Sequence, residues 1–227
     1  MSTTPIDILE ATLRQRLAGT LPGLDAQLRF MPTPPPGTGW KPGEFPSDAR
    51  IAAGLLLLYP GERGPSIPLT VRASGLRRHA GQVSLPGGAT DPGETLSQAA
   101  MREAHEEIGV DPARVRILGE LTPVHVLVSG FTLHPIVGVT NDRPSFTLAA
   151  HEVEEVIEVS VGDLQDASAI RQGTRTREGV AIEYPYFAVM GHQVWGATAM
   201  ILGEFICLLQ AGASGAETGQ DSSTRTG

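Results

Sequence analysis

The chain has 227 residues, 41% of them hydrophobic, and a mean hydropathy of −0.03, which is enough to bury the core of one domain with additions. A formal charge of −8 and a pI near 5.2 argue against broad binding to nucleic acid or an anionic membrane, while leaving room for a local basic pocket. The single cysteine, Cys207, excludes an internal disulfide and a thiolate metal site and is compatible with a reducing compartment.

The N-terminus, MSTTPIDILEATLRQRL, carries acids and lacks the apolar centre of a signal peptide. No apolar run reaches the ~20 residues that a membrane helix needs. The expected location is cytoplasmic, with no membrane partner. Ile6, Ile8, Leu9, Leu13 and Leu17 recur mostly at helical spacing and predict an amphipathic helix over Ile6–Leu17. Residues 31–46, MPTPPPGTGWKPGEFP, read as an irregular surface arm pinned to the core by Trp40 and Phe45. The same arm would serve a homodimer contact.

Ala52–Tyr59 (AAGLLLLY) is a continuous apolar run, as in a strand buried on both faces, and Ile67–Arg72 is its returning partner. Ser74–Ser84 is a polar, basic connection. Val115–Leu121, Val124–Val128, Phe131–Val139 and Val153–Val161 read as strands, followed by a short helix near Asp163–Ala167. Val180–Ile182 and Tyr186–Val189 read as a strand pair. Ala197–Gln210 is apolar nearly all round and predicts a deeply packed helix. The tail 211–227 lacks hydrophobes and is expected to be disordered. The expected division is an N-terminal helix and arm (1–49), one main domain (50–210) and the tail, with an α/β (α+β) sandwich architecture.

The most informative stretch is Leu85–Val110, LPGGATDPGETLSQAAMREAHEEIGV. Thr95 and Gln98 form a capping-box pattern that starts a helix near Leu96, and Gly109 stops it. Leu96, Ala100, Glu103 and Glu107 fall at i, i+4, i+7 and i+11, one stripe, with Glu106 beside it; Gln98, Arg102 and His105 point outward. Like charges gathered at a half-buried edge cost several kcal/mol unless a cation compensates. Clustered carboxylate oxygens suit Mg²⁺ or Mn²⁺ rather than Zn²⁺. A solvated acidic helix face is the plainer alternative. Gly87-Gly88 predicts a turn that lets backbone approach a ligand or the helix closely.

Gly88, Glu94, Arg102-Glu103, Glu106-Glu107 and Gly109-Val110 resemble the Nudix box, G-x5-E-x7-R-E-U-x-E-E-x-G-U, at each fixed position. Ala104 is small where the pattern prefers a larger aliphatic residue. The resemblance implies a Nudix fold, an α/β/α sandwich around a mixed sheet, and metal-dependent hydrolysis of a nucleoside diphosphate derivative. It implies Glu103, Glu106 and Glu107 as metal ligands, Arg102 as the group that orients them, Glu94 as support, and Gly87 and Gly88 on the substrate. Glu103 is the candidate base within the box; Glu152 and Glu155 could supply a ligand or base from outside it, or be exposed strand-edge acids.

Upstream, Leu69-Thr70-Val71-Arg72-Ala73, Arg77, Gly81 and Leu85-Pro86-Gly87-Gly88 resemble the motif that marks the coenzyme A pyrophosphatase branch. Pro68, Ala73 and Leu85 depart from it. Trp195–Ala199 (WGATA) also looks like that branch. Arg72 and Arg77 are then candidate substrate residues, since guanidinium forks suit phosphate; Arg78 and His79 add positive charge, although arginines here could instead pair with the many glutamates. The expected substrate is coenzyme A, its thioesters or its oxidised form. ADP-ribose or dinucleoside polyphosphates are the enzymatic alternative, and a non-cleaving nucleotide sensor is a third reading, disfavoured because every box glutamate is retained.

Overall fold

The structure is a computed structural model describing residues 3–35, 41–73, 81–177 and 179–211. Trp40, Arg77, Arg78, His79 and nearly all of the tail lie outside the described residues. The chain starts with α1 (Pro5–Leu17) and the short α2 (Gly23–Leu28), the second of which carried no periodic apolar pattern. Thr4 caps α1 in a reciprocal capping box with Asp7, and Ile6 and Leu13 are its buried residues.

Strand β1 (Arg50–Gly61) is the spine. Along Arg50–Leu58 it pairs in parallel with β7 (Phe131–Val139). On its other side, Ala52–Gly54 pairs with β4 (Gly87–Ala89), and Tyr59–Gly61 pairs with β2 (Gly64–Arg72), both antiparallel. Strand β2 carries β3 (Val83–Ser84) at Thr70–Val71 and β8 (Val153–Ser160) along its length. Strands β5 (Arg116–Glu120) and β6 (Val124–Val126) both pair with β7. One parallel pair among antiparallel ones makes the sheet mixed.

The continuous apolar run in β1 is explained by two cores. Leu56 and Leu58 enter a core with Ile67, Leu69, Val137 and Phe205. Ala53, Leu55, Leu57 and Tyr59 enter the other, with Ala99, Ala100, Ala104 and Ile108 of α3 (Leu96–Ile108). The sheet is thus covered on one face by α3 and on the other by α1 and α5 (Ala197–Gln210). Ala104, small where a larger aliphatic side chain was expected, is fully buried against the sheet.

Two expectations need correction. Val180–Ile182 and Tyr186–Val189 are not two paired strands but one, β10 (Val180–Val189). It follows the short α4 (Val161–Gln165) and pairs with β9 (Ile170–Arg177) and β11 (His192–Trp195) in a second, antiparallel sheet. Pro185 lies within this strand, opposite Gln172 of β9 and just past the last pair with β11, Tyr186↔Trp195, so on that side no ladder bond is lost to it. Strand β9, IRQGTRTR, is nearly all polar and exposed, so it carries no burial pattern to read. Phe45 does not pin the arm: it is 47% exposed, and the arm is joined instead by Thr33, which exchanges two backbone hydrogen bonds with Glu183.

Glu204 of α5 is fully buried, and its partners among the described residues are neutral donors. It accepts from the Gly23 N–H (3.2 Å), the Thr122 N–H (3.2 Å) and hydroxyl (2.7 Å), and the Gln27 side-chain amide (2.8 Å). Four donors thus stand in for water around one carboxylate and join α2, α5 and the loop before β6. No helix among the described residues is long and apolar enough to cross a membrane.

Candidate active site

The expected helix is present as α3, capped by Thr95 and Gln98 and ended by Gly109, whose φ of 73° is the left-handed conformation a glycine cap supplies. Its buried residues are Ala99, Ala100, Ala104, Glu107 and Ile108, so the stripe that begins apolar ends in a carboxylate.

Gly87 and Gly88 form strand β4 rather than a turn, and each is required for a different contact. A Cβ on Gly87 would lie 2.3 Å from the Ala53 carbonyl oxygen and 2.6 Å from the Gly54 Cα. A Cβ on Gly88 would lie 2.4 Å from the Glu103 carboxylate. The first glycine lets two backbones pair closely; the second leaves room for the acid. Neither residue needs a positive φ.

Arg102 does not point outward as its helical position suggested. Its guanidinium folds back as a hub, donating to both Glu94 oxygens (3.0 and 3.1 Å), to Glu103 (2.9 Å), to Glu106 (3.2 Å) and to the Ala89 carbonyl (3.0 Å). Glu94 also accepts from the Asp91 N–H, closing the loop before the helix. These fork contacts fix the loop, β4 and α3 relative to one another. They hold Glu94 below the usual carboxylate range, chiefly through Arg102.

The three box glutamates occupy different environments. Glu106 is 58% exposed at its side chain and pairs with Arg102. Glu103 is half-buried, and burial raises its pKa against the opposing pull of Arg102. Glu107 is 7% exposed and accepts from the Gly87 N–H at 3.1 Å. Burial pushes it up to about 7, with Glu103 and Glu152 adding repulsion and the Gly87 bond and Arg72 opposing. Glu152, in the turn before β8, therefore belongs to the same cluster, whereas the Glu155 carboxylate lies 3.2 Å from the His192 Nε2 instead. Among the described residues no three acidic or histidine side chains converge at metal-binding distance. Each box carboxylate is turned to a donor of the protein, Arg102 or the Gly87 N–H. The donor set nevertheless fits a hard cation: it is oxygen only, desolvated, and mutually repulsive in its absence.

Arg72 ends β2 beside this cluster. Its backbone exchanges hydrogen bonds with Gly81 and Gln82, so both ends of the segment containing Arg77 are tied there. Its Nε is buried without a hydrogen-bond partner. Arg72 also lines a groove of about 290 Å³ with Ser84, Val126, Leu133, Trp195 and Thr198. Sequence reasoning quoted Trp195 but did not connect it to Arg72, because more than a hundred positions separate them and only the fold closes that distance.

The NUDIX domain family model matches residues 48–178. A Nudix hydrolase NudL of Photorhabdus laumondii is 32% identical over 157 residues, covering 69% of this chain and 83% of that protein. The NudL of an Enterobacter species is 38% identical over 162 residues, covering 68% and 80%. Among solved structures, RenU, a Nudix hydrolase from M. smegmatis, is 27% identical with a TM-score of 0.45, covering 52% of this chain and 74% of that one. A matched domain model over more than half the chain, with relatives covered over most of their length, leads to one conclusion: the chain belongs to the Nudix family of hydrolases and has its fold, a mixed sheet between helices.

Proposed function

We propose that this protein hydrolyses the diphosphate of coenzyme A, and of its acyl or oxidised forms, to 3′,5′-ADP and 4′-phosphopantetheine or its derivative. The observation that carries this reading is the juxtaposition of Glu103, Glu107 and Glu152 with Arg72. A carboxylate cluster in which Glu107 is buried adjoins a guanidinium that lines a groove and whose buried Nε lacks an acceptor. The arginine-bearing motif before the box supports coenzyme A as the source of the diphosphate.

Glu103, Glu106 and Glu107 would hold Mg²⁺ or Mn²⁺. When bound, such a cation neutralises diphosphate charge and lowers the pKa of a water it holds. Arg102 keeps Glu103 and Glu106 in place; Gly88 leaves the space Glu103 occupies; the Gly87 N–H fixes Glu107. Arg72 donates to a diphosphate oxygen, which gives its Nε the acceptor it lacks. Arg77 is assigned to the 3′-phosphate. Glu103, half-buried and raised, is suited to take a proton from the attacking water, and Glu152, an acid outside the box whose charge acts on Glu103, could share that role.

The test is turnover of coenzyme A, ADP-ribose and diadenosine polyphosphates with Mg²⁺ or Mn²⁺, with products separated. Coenzyme A should be cleaved fastest, and faster cleavage of ADP-ribose would overturn the substrate assignment. Arg77→Ala should raise KM for coenzyme A more than for its 3′-dephosphorylated form.

A further inference from the structure

One face of the second sheet carries a feature that the box does not explain. Antiparallel register puts Arg175 of β9, Tyr184 and Tyr186 of β10, and Trp195 of β11 on that one face. The Arg175 guanidinium lies over the Trp195 ring, 4.1 Å from its centroid, and reaches within 6.0 Å of the Tyr184 ring. Tyr184 and Trp195 are 5.3 Å apart, tilted by 47°. Gly173 makes the arrangement possible, because a Cβ there would lie 2.6 Å from the Tyr184 ring. Trp195 is half-buried, held by Arg175 and Tyr184, and forms a wall of the groove that begins at Arg72.

Among the described residues, the buried side-chain polar atoms without a hydrogen-bond partner are the Nε atoms of Arg72 and Arg175. A buried donor left unpaired is unfavourable, and the Arg72 Nε lies in the lining of the groove, which marks a place where a ligand completes the protein; the Arg175 guanidinium backs the Trp195 ring. The groove joins an aromatic ring backed by a cation to aliphatic walls (Val126, Leu133) and small hydroxyls (Ser84, Thr198), with a phosphate-suited guanidinium at its mouth.

We propose that Trp195, held by Arg175, is the stacking surface for the purine base of the nucleotide half of the substrate, and that the groove takes that half while the other half leaves towards solvent. A flat, electron-poor base suits a tryptophan face, and stacking of this kind tolerates many ring substituents. A flexible pantetheine arm offers no ring to stack. The inference rests on the reading of the substrate as a nucleoside diphosphate derivative, and it fixes which end lies where.

The test uses the full chain carrying Trp40→Phe, so that Trp195 is the sole tryptophan, in buffer with Mg²⁺. Titration with 5′-AMP and with 3′,5′-ADP should quench Trp195 fluorescence saturably, and 4′-phosphopantetheine should leave it unchanged. No quench by either nucleotide, or a response to 4′-phosphopantetheine as large as theirs, overturns the proposal. By calorimetry, Trp195→Leu should weaken 5′-AMP binding about tenfold; an unchanged affinity overturns it as well. Failure of the coenzyme A reading looks different. In that case 5′-AMP still quenches Trp195 while coenzyme A is not cleaved. If coenzyme A is cleaved and neither nucleotide quenches, the base site alone falls.

Discussion

Gly87 and Gly88 are adjacent and chemically identical, yet their substitution should have opposite consequences. A Cβ on Gly87 meets backbone of β1, which cannot yield cheaply, so Gly87→Ala should destabilise by about 1–3 kcal/mol in urea unfolding. A Cβ on Gly88 meets the end of the Glu103 side chain, which can swing away. Gly88→Ala should therefore retain most of its stability and lose activity. Arg102→Met, which releases Glu94, Glu103 and Glu106 together, should cost about 10–100-fold in metal affinity or rate. Glu107→Gln should cost at least as much. Glu107 also predicts a pH dependence. Its pKa in the metal-free protein is about 7, above the ordinary carboxylate value, so the protonated form is favoured by folding. That contribution to stability is fully present below the ordinary value and is lost as pH rises through about 7. The urea midpoint of metal-free protein should fall between pH 5 and 8 on this account, and Glu107→Gln should flatten the fall.

The elements were legible in proportion to how much of their burial is local. Helix α3 was readable to its ends because its capping box, apolar stripe and glycine stop all lie within fifteen residues or so of chain. Thr95→Ala should accordingly cost about 1 kcal/mol, measured by thermal unfolding. The run Ala52–Tyr59 of β1 was readable because burial on both faces leaves no charged position in it. Strand β9 and helix α2 were not. The first is mostly exposed and polar, and the second is a short segment whose buried Gln27 is satisfied by Glu204, far along the chain. Arg102 shows the same limit within a correctly placed helix. Helical phase put it outside, and only the loop at Glu94 and the Ala89 carbonyl bring its guanidinium inward.

Glu204 illustrates how the whole molecule is held together. Its four donors come from α2, the loop at Thr122 and Gln27, so removing the carboxylate strands several buried N–H groups at once. Glu204→Ala should destabilise by ~3 kcal/mol or more, read from denaturant unfolding, with little direct effect on the chemistry of the glutamates at the far face of the sheet. The spacing of the box residues determined the family, the helix and the acids that face one another, because those relations span a single loop and helix. The tertiary structure decided how deeply each acid is buried, which outside acid joins them, and that Arg72 and Trp195 share a groove. Burial and cross-sheet neighbours depend on which strands pair, and strand pairing brings together residues whose separation along the chain carries no signal of their contact.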